Sequence, residues 1–181
     1  MPRYDRSRFP PARRAATLLL VYPRAGGELT VPLTVRHADL RAHAGEISLP
    51  GGAVDATDAS RQATALREAH EEVGLDPRAV EIAGVLDDIW IPVSNFELRP
   101  FVGTAATRPA LDPQTDEVTE IVELPLSHLL TDGVVSEERI EGPGWVLRAA
   151  VYRYAGHRIW GATARTLAMF ATVLREAGIA P

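Results

Sequence analysis

The 181 residues contain no cysteine, which excludes disulfides, thiolate nucleophiles, zinc–thiolate sites and iron–sulfur clusters. Lysine is absent too, so all 19 basic side chains are arginine. Biased genomic composition is the plain reading of that. Chemically, a guanidinium fork also pairs with phosphate oxygens, where an ammonium acts only as a point charge. No apolar run approaches the roughly 20 residues of a membrane span. The longest, Ala15 to Tyr22, reads as a buried strand. No small-residue cleavage pattern follows Arg13-Arg14, so a secretory leader is not expected. A net charge of −5 argues against a nucleic-acid partner. What remains is a cytoplasmic enzyme or binding protein, 46% hydrophobic and 24% charged, within the roughly 100–200 residues of one domain.

Met1 to Arg14 is rich in Arg and Pro and reads as a loosely held arm, in which Pro10-Pro11 forbids an amphipathic helix. Strands are expected at Ala16 to Tyr22 and Leu29 to Val35, joined by a turn at Ala25-Gly26-Gly27. A long loop, His37 to Gly52, follows. A helix from Asp58 to Val73 is expected next, with Asp58 as N-cap, Gly74 as its left-handed end and Pro77 barring continuation. Further strands are expected at Val80 to Leu86, Asp88 to Pro92, Glu97 to Ala105, Val118 to Leu124, Ala149 to Tyr154 and His157 to Trp160. Leu126 to Leu130 and Ala162 to Ala177 complete the pattern as helices. Strands flanked by helices imply a layered α/β domain.

The helix Asp58 to Val73 carries the chemistry. At roughly 100° per residue, with Glu68 at zero, Glu72 lies at about 40° and Glu71 at about −60°. The three carboxylates thus share one face, and Ala59, Ala63, Leu66, Ala69 and Val73 form the expected core stripe. Acids at i, i+3 and i+4 repel one another, and the last helical turn disfavours anions. A divalent cation removes both objections. Carboxylate oxygens with no cysteine and no closely spaced histidines favour Mg²⁺ or Mn²⁺ over zinc.

Arg67-Glu68-Ala69-His70-Glu71-Glu72-Val73-Gly74-Leu75, with the glycine loop before it, resembles the Nudix hydrolase signature. Gly52 is its glycine, and Asp58 stands where Glu is usual, with one extra residue between Gly52 and Arg67. The resemblance implies a single domain over 1–181, an α/β/α sandwich with a mixed β-sheet that hydrolyses a nucleoside diphosphate linked to another group. By position, Glu68 and Glu72 would be the principal metal ligands and Glu71 a further ligand or base. Arg67 would orient a box carboxylate, and a carbonyl of Gly51 or Gly52 would complete the coordination. A later-loop Glu used by many members would be Glu117 or Glu120.

The segment before the box is similar to the coenzyme A pyrophosphatase subgroup. It runs Leu33-Thr34-Val35-Arg36, then Leu40-Arg41-Ala42-His43-Ala44-Gly45, then Ile47-Ser48-Leu49-Pro50-Gly51-Gly52. That subgroup shares the longer box spacing and the Asp, while Pro32, Leu49 and Glu46 differ from its usual Leu, Phe and Gln. Ile159 to Arg165 resembles its usual ending. Coenzyme A carries a 3′-phosphate besides its pyrophosphate, and Arg36 and Arg41 are the candidate contacts. His37 and His43 read as exposed loop residues, His70 as partly buried, and Trp90, Phe96 and Trp160 as packing rather than adenine-stacking residues. The alternatives are a Nudix hydrolase of ADP-ribose, dinucleotides or nucleoside triphosphates, and a non-catalytic nucleotide-sensing Nudix domain. The presence of all three box glutamates weighs against the sensor.

Overall fold

The first strand organises the molecule. In the computed structural model, which describes residues 5–37, 45–142 and 145–180, all eight residues from Ala15 to Tyr22 are buried. A strand so covered has a core on each face. The elements in chain order are β1 (Arg13–Pro23), β2 (Leu29–Arg36), β3 (Ile47–Ser48), β4 (Gly51–Ala53), α1 (Arg61–Val73), β5 (Glu81–Val85), β6 (Ile89–Ile91) and β7 (Phe96–Thr104). Then come β8 (Val118–Pro125), α2 (Leu126–Leu130), β9 (Val135–Gly142), β10 (Trp145–Tyr154), β11 (His157–Ile159) and α3 (Gly161–Glu176).

β1 runs parallel to β7 from Arg13↔Phe96 to Val21↔Thr104. On its other side it pairs antiparallel with β4 and, through the Arg24–Glu28 turn, with β2. β8 and β3 flank β2, and β5 and β6 flank β7, so the eight-stranded sheet is mixed. Side-chain alternation along β1 splits the interior. Leu18, Leu20 and Tyr22 pack with Ala65, Ala69 and Val73 of α1, whereas Leu19 and Val21 pack with Leu167, Phe170 and Ala171 of α3. These are the two outer layers of the expected sandwich. β9, β10 and β11 form a separate antiparallel sheet, where Ile140, Ala149 and Val151 pack with Trp160. Among the described residues, no helix is long and apolar enough to cross a membrane.

Several boundaries differ from expectation. α1 begins at Arg61, and its N-cap is Ser60, whose hydroxyl accepts the Ala63 N–H at 3.1 Å. Asp58 is engaged elsewhere. The helix ends as expected, with Gly74 left-handed at φ 69°. The buried stripe is Thr64, Ala65, Ala69, Glu72 and Val73, rotated from the expected one. Ala59 is exposed, and Leu66 and Ala63 are only half-buried. The small side chains of that face bring α1 close to β1 and β4. The expected loop 37–52 contains β3 and the start of β4, and 135–142, for which the sequence suggested no element, is strand β9. The N-terminal segment meets the domain from Arg6 on. Arg6 pairs with Glu97, Phe9 meets Trp90 edge-on at 5.1 Å, and Asn95 donates to the Pro10 carbonyl at 3.2 Å.

Candidate active site

Two glycines bring the chain into contact with the acidic face of α1. A Cβ on Gly51 would lie 2.4 Å from the Ala16 carbonyl oxygen and 2.6 Å from Thr17 Cα, so β4 sits against β1 only because that position has no side chain. The Pro50 carbonyl before it accepts both the Leu18 N–H at 2.9 Å and the Thr17 hydroxyl at 2.6 Å. A Cβ on Gly52 would lie 2.5 Å from the Glu68 carboxyl carbon. The Glu68 carboxylate therefore rests directly on the bare backbone of β4.

The three box glutamates face different surroundings. The Glu71 side chain is 51% exposed and that of Glu68 is 18% exposed, while Glu72 as a residue is 8% exposed. Glu72 accepts the Gly51 N–H at 3.3 Å. Burial pushes its carboxyl up to about 7, and the negative charges of Glu68 and Glu117 act in the same direction. The Gly51 N–H and the Arg36 guanidinium oppose the rise. Glu68 is also raised, chiefly by burial, with Arg67 opposing. The Gln114 N–H donates to the Glu72 carbonyl and the Asp112 N–H to the Val73 carbonyl, both at 3.0 Å, so the loop before β8 closes the C-terminal end of α1.

Arg67 uses all five of its guanidinium N–H groups. Nε and Nη2 meet the two oxygens of Asp58 at 2.9 and 3.0 Å, and Nη2 also donates to the Ala53 carbonyl at 3.3 Å. Nη1 donates to Glu68 Oε1 and Glu71 Oε2, each at 2.9 Å. The Asp58 side chain is 4% exposed. The Arg67 guanidinium holds its carboxyl well below the usual carboxylate range. Asp58 is thus the anchor of Arg67 rather than the cap of the helix.

Arg36 ends β2 on the same side, its Nη2 3.0 Å from Glu117 Oε2. Glu120 does not join this group. It shares its face of β8 with Val122 and Leu124, which belong to the α3-side core, and lies 3.6 Å from His157 Nε2. Arg41 and His43 lie outside the described residues. His70, expected partly buried, is exposed, with Nδ1 3.0 Å from the Leu75 carbonyl beyond the helix end. Trp90 donates from Nε1 to Asn95, Phe96 lies under the Arg13 guanidinium and Trp160 packs on the small sheet.

A hard divalent cation fits these groups. The donors are all oxygen, and Glu72 is a buried carboxylate whose charge is unfavourable until a cation meets it. Gly52, having no side chain, gives the Glu68 carboxylate its place against β4. Among the described residues, no three His, Asp or Glu side chains already converge as a cage; Arg67 Nη1 lies on one oxygen each of Glu68 and Glu71. Asp58 emerges only from the structure as the fixed partner of Arg67. In the sequence, its place in the signature is the signal for that role, and its suitability as an N-cap competes with it.

A NUDIX domain family model matches residues 11–141. An uncharacterized Nudix hydrolase NudL of Citrobacter koseri is 41% identical over 152 residues, spanning 84% of this chain and 78% of that protein. Among solved structures, a C. elegans Ap4A hydrolase binary complex superimposes with a TM-score of 0.58 at 14% identity, covering 91% of this chain and 98% of that one. The NUDIX domain of Shewanella oneidensis NrtR complexed with ADP ribose gives a TM-score of 0.52 at 23% identity, covering 71% and 82%. Both show the same fold. The family match runs from the residues before β1 into β9 and encloses the whole arrangement around Arg67, so the chain belongs to the Nudix hydrolase family.

Proposed function

We propose that this chain is a cytoplasmic, metal-dependent pyrophosphatase that cleaves coenzyme A, and acyl-coenzyme A, to 3′,5′-ADP and 4′-phosphopantetheine or its acyl form. Water attacks one phosphorus, the bridging P–O bond breaks, and the bridging oxygen leaves with the other phosphate. Glu68 and Glu72 are the principal ligands for Mg²⁺ or Mn²⁺, with Glu71 a further ligand or base. The bound ions supply charge neutralisation of the pyrophosphate and a more acidic water. Arg67 orients Glu68 and Glu71. Gly51 and Gly52 permit close approach of substrate and ion to the backbone, and Arg36 and Arg41 bind phosphate. Glu117 is a better later-loop acid than Glu120, because its charge reaches Glu72 and its carboxylate pairs with Arg36.

The observation that carries the hydrolase reading is the buried Glu72 beside the Glu68 carboxylate, itself seated on Gly52. The choice of coenzyme A rests on the segment before the box. ADP-ribose is the second reading, favoured by the solved Nudix domain that binds it on the same fold. Initial rates for coenzyme A, dephospho-coenzyme A and ADP-ribose with Mg²⁺ separate the two. Coenzyme A is expected to turn over fastest. ADP-ribose cut fastest overturns the subgroup assignment, and equal rates for coenzyme A and its dephospho form remove a 3′-phosphate contact from Arg36 and Arg41.

A further inference from the structure

Thr64 is fully buried on the face of α1 that otherwise presents Ala65, Ala69 and Val73 to β1. Alanine would fit such a position and favours the helix more, while a buried hydroxyl costs free energy unless it is paired. The Thr64 hydroxyl lies 2.8 Å from Asp58 Oδ2 and 3.3 Å from the Ser60 carbonyl. It has one hydrogen to give, and the shorter contact to a charged acceptor takes it. Asp58 Oδ2 also accepts the Asp55 N–H at 2.9 Å. The carboxylate is therefore fixed from two directions before Arg67 meets it.

That fixation decides where Arg67 points. With Nε and Nη2 committed to a rigid Asp58, only Nη1 remains for the box, and it is shared between Glu68 and Glu71. A guanidinium free to turn would engage both oxygens of one box carboxylate as a fork and compete with a cation for them. We infer that Thr64 is a positioning residue for the metal site, whose hydroxyl holds Asp58 so that Arg67 presents a single N–H to each of Glu68 and Glu71. Thr64 is three residues before Arg67, its hydroxyl meets Asp58 and the Ser60 carbonyl, and it acts on the box through Asp58 and Arg67. The inference rests on the proposed metal-dependent reading of the same site.

The test is a titration of the metal-free full-length chain with Mn²⁺, following the electron paramagnetic resonance signal of the free ion. Thr64→Val is nearly isosteric, and Thr64→Ala serves if the valine variant fails to fold. Both are expected to bind Mn²⁺ about tenfold more weakly, the scale on which partners of metal ligands act. Thr64→Ser, which restores the hydroxyl, is expected to recover binding to within about twofold of the parent. Turnover of coenzyme A is expected to fall in the same order through kcat, with KM little changed. Unchanged Mn²⁺ affinity in Thr64→Val and Thr64→Ala, alongside a lowered Tm, overturns the inference and leaves Thr64 a loop anchor only. A parent chain that binds no Mn²⁺ overturns the metal reading with it.

Discussion

A methyl group added at Gly51 meets backbone, and one added at Gly52 meets a flexible carboxylate. Gly51→Ala is expected to cost about 3 kcal/mol of stability, since the Ala16 carbonyl and Thr17 Cα cannot retreat without moving β1. Gly52→Ala is expected to leave Tm nearly unchanged, because the Glu68 carboxylate can swing aside. It should lower turnover by at least about tenfold, the scale of a misplaced metal ligand. Thermal melts and kcat for the pair check this, and equal loss of stability in both would contradict it. At this scale the sequence carried much of the site. The spacing of Glu68, Glu71 and Glu72 placed them on one helical face, and the structure keeps all three around the same edge. Their unequal burial was not legible, because it depends on where β4 and the 112–114 loop cover the helix. No periodicity within α1 contains that.

The start of α1 is a contest between two acceptors. Asp58 and Ser60 both suit an N-cap. Arg67 and Thr64 draw Asp58 into the site, which leaves the cap to Ser60. Ser60→Ala is therefore expected to cost about 1 kcal/mol in urea unfolding while kcat stays close to that of the parent. A large loss of kcat without loss of stability would instead place Ser60 in the site. Arg61, the next residue, stands where the helix dipole disfavours a cation. It is compensated by Asp88 and Glu97, each 3.1 Å away, which fasten the helix to the β6–β7 side of the sheet. The strand most distant from expectation is β9. It carries Glu137, Glu138, Arg139 and Glu141, with Ile140 as its buried residue, and its strand character comes from eight-residue pairing with β10. Non-local pairing of this kind leaves little trace in a short polar segment.

For the whole molecule, the layered α/β class follows from β1, whose eight consecutive buried residues need a core on both faces. The parallel β1–β7 pairing and the separate small sheet follow from contacts between segments far apart in sequence, which alternation alone does not encode. The site's electrostatics also reach the global stability. Glu72 moves from an ordinary 4.5 to about 7 in the folded chain, chiefly through burial. The folded state therefore holds that proton where the unfolded state has released it. Its contribution, about 3 kcal/mol, is fully present below pH 4.5 and lost as pH rises through about 7. Asp88, Glu97 and Glu123 are lowered by their arginine partners and act oppositely, at more acid pH. Without metal, Tm is thus expected to fall between pH 5 and 8. Glu72→Gln is expected to flatten that fall, as is saturating Mg²⁺ at pH 8. Parallel curves for the parent and Glu72→Gln would contradict the assignment.

The central claim is that the buried Glu72 and its neighbour Glu68 serve a divalent cation in breaking a pyrophosphate bond. It is tested most directly by the initial rate of 3′,5′-ADP release from coenzyme A, with and without Mg²⁺, in the parent chain and in Glu72→Gln. The account predicts release that requires Mg²⁺ in the parent and is at least about a hundredfold slower in a folded Glu72→Gln. Metal-independent release, or a Glu72→Gln rate close to that of the parent, would contradict it.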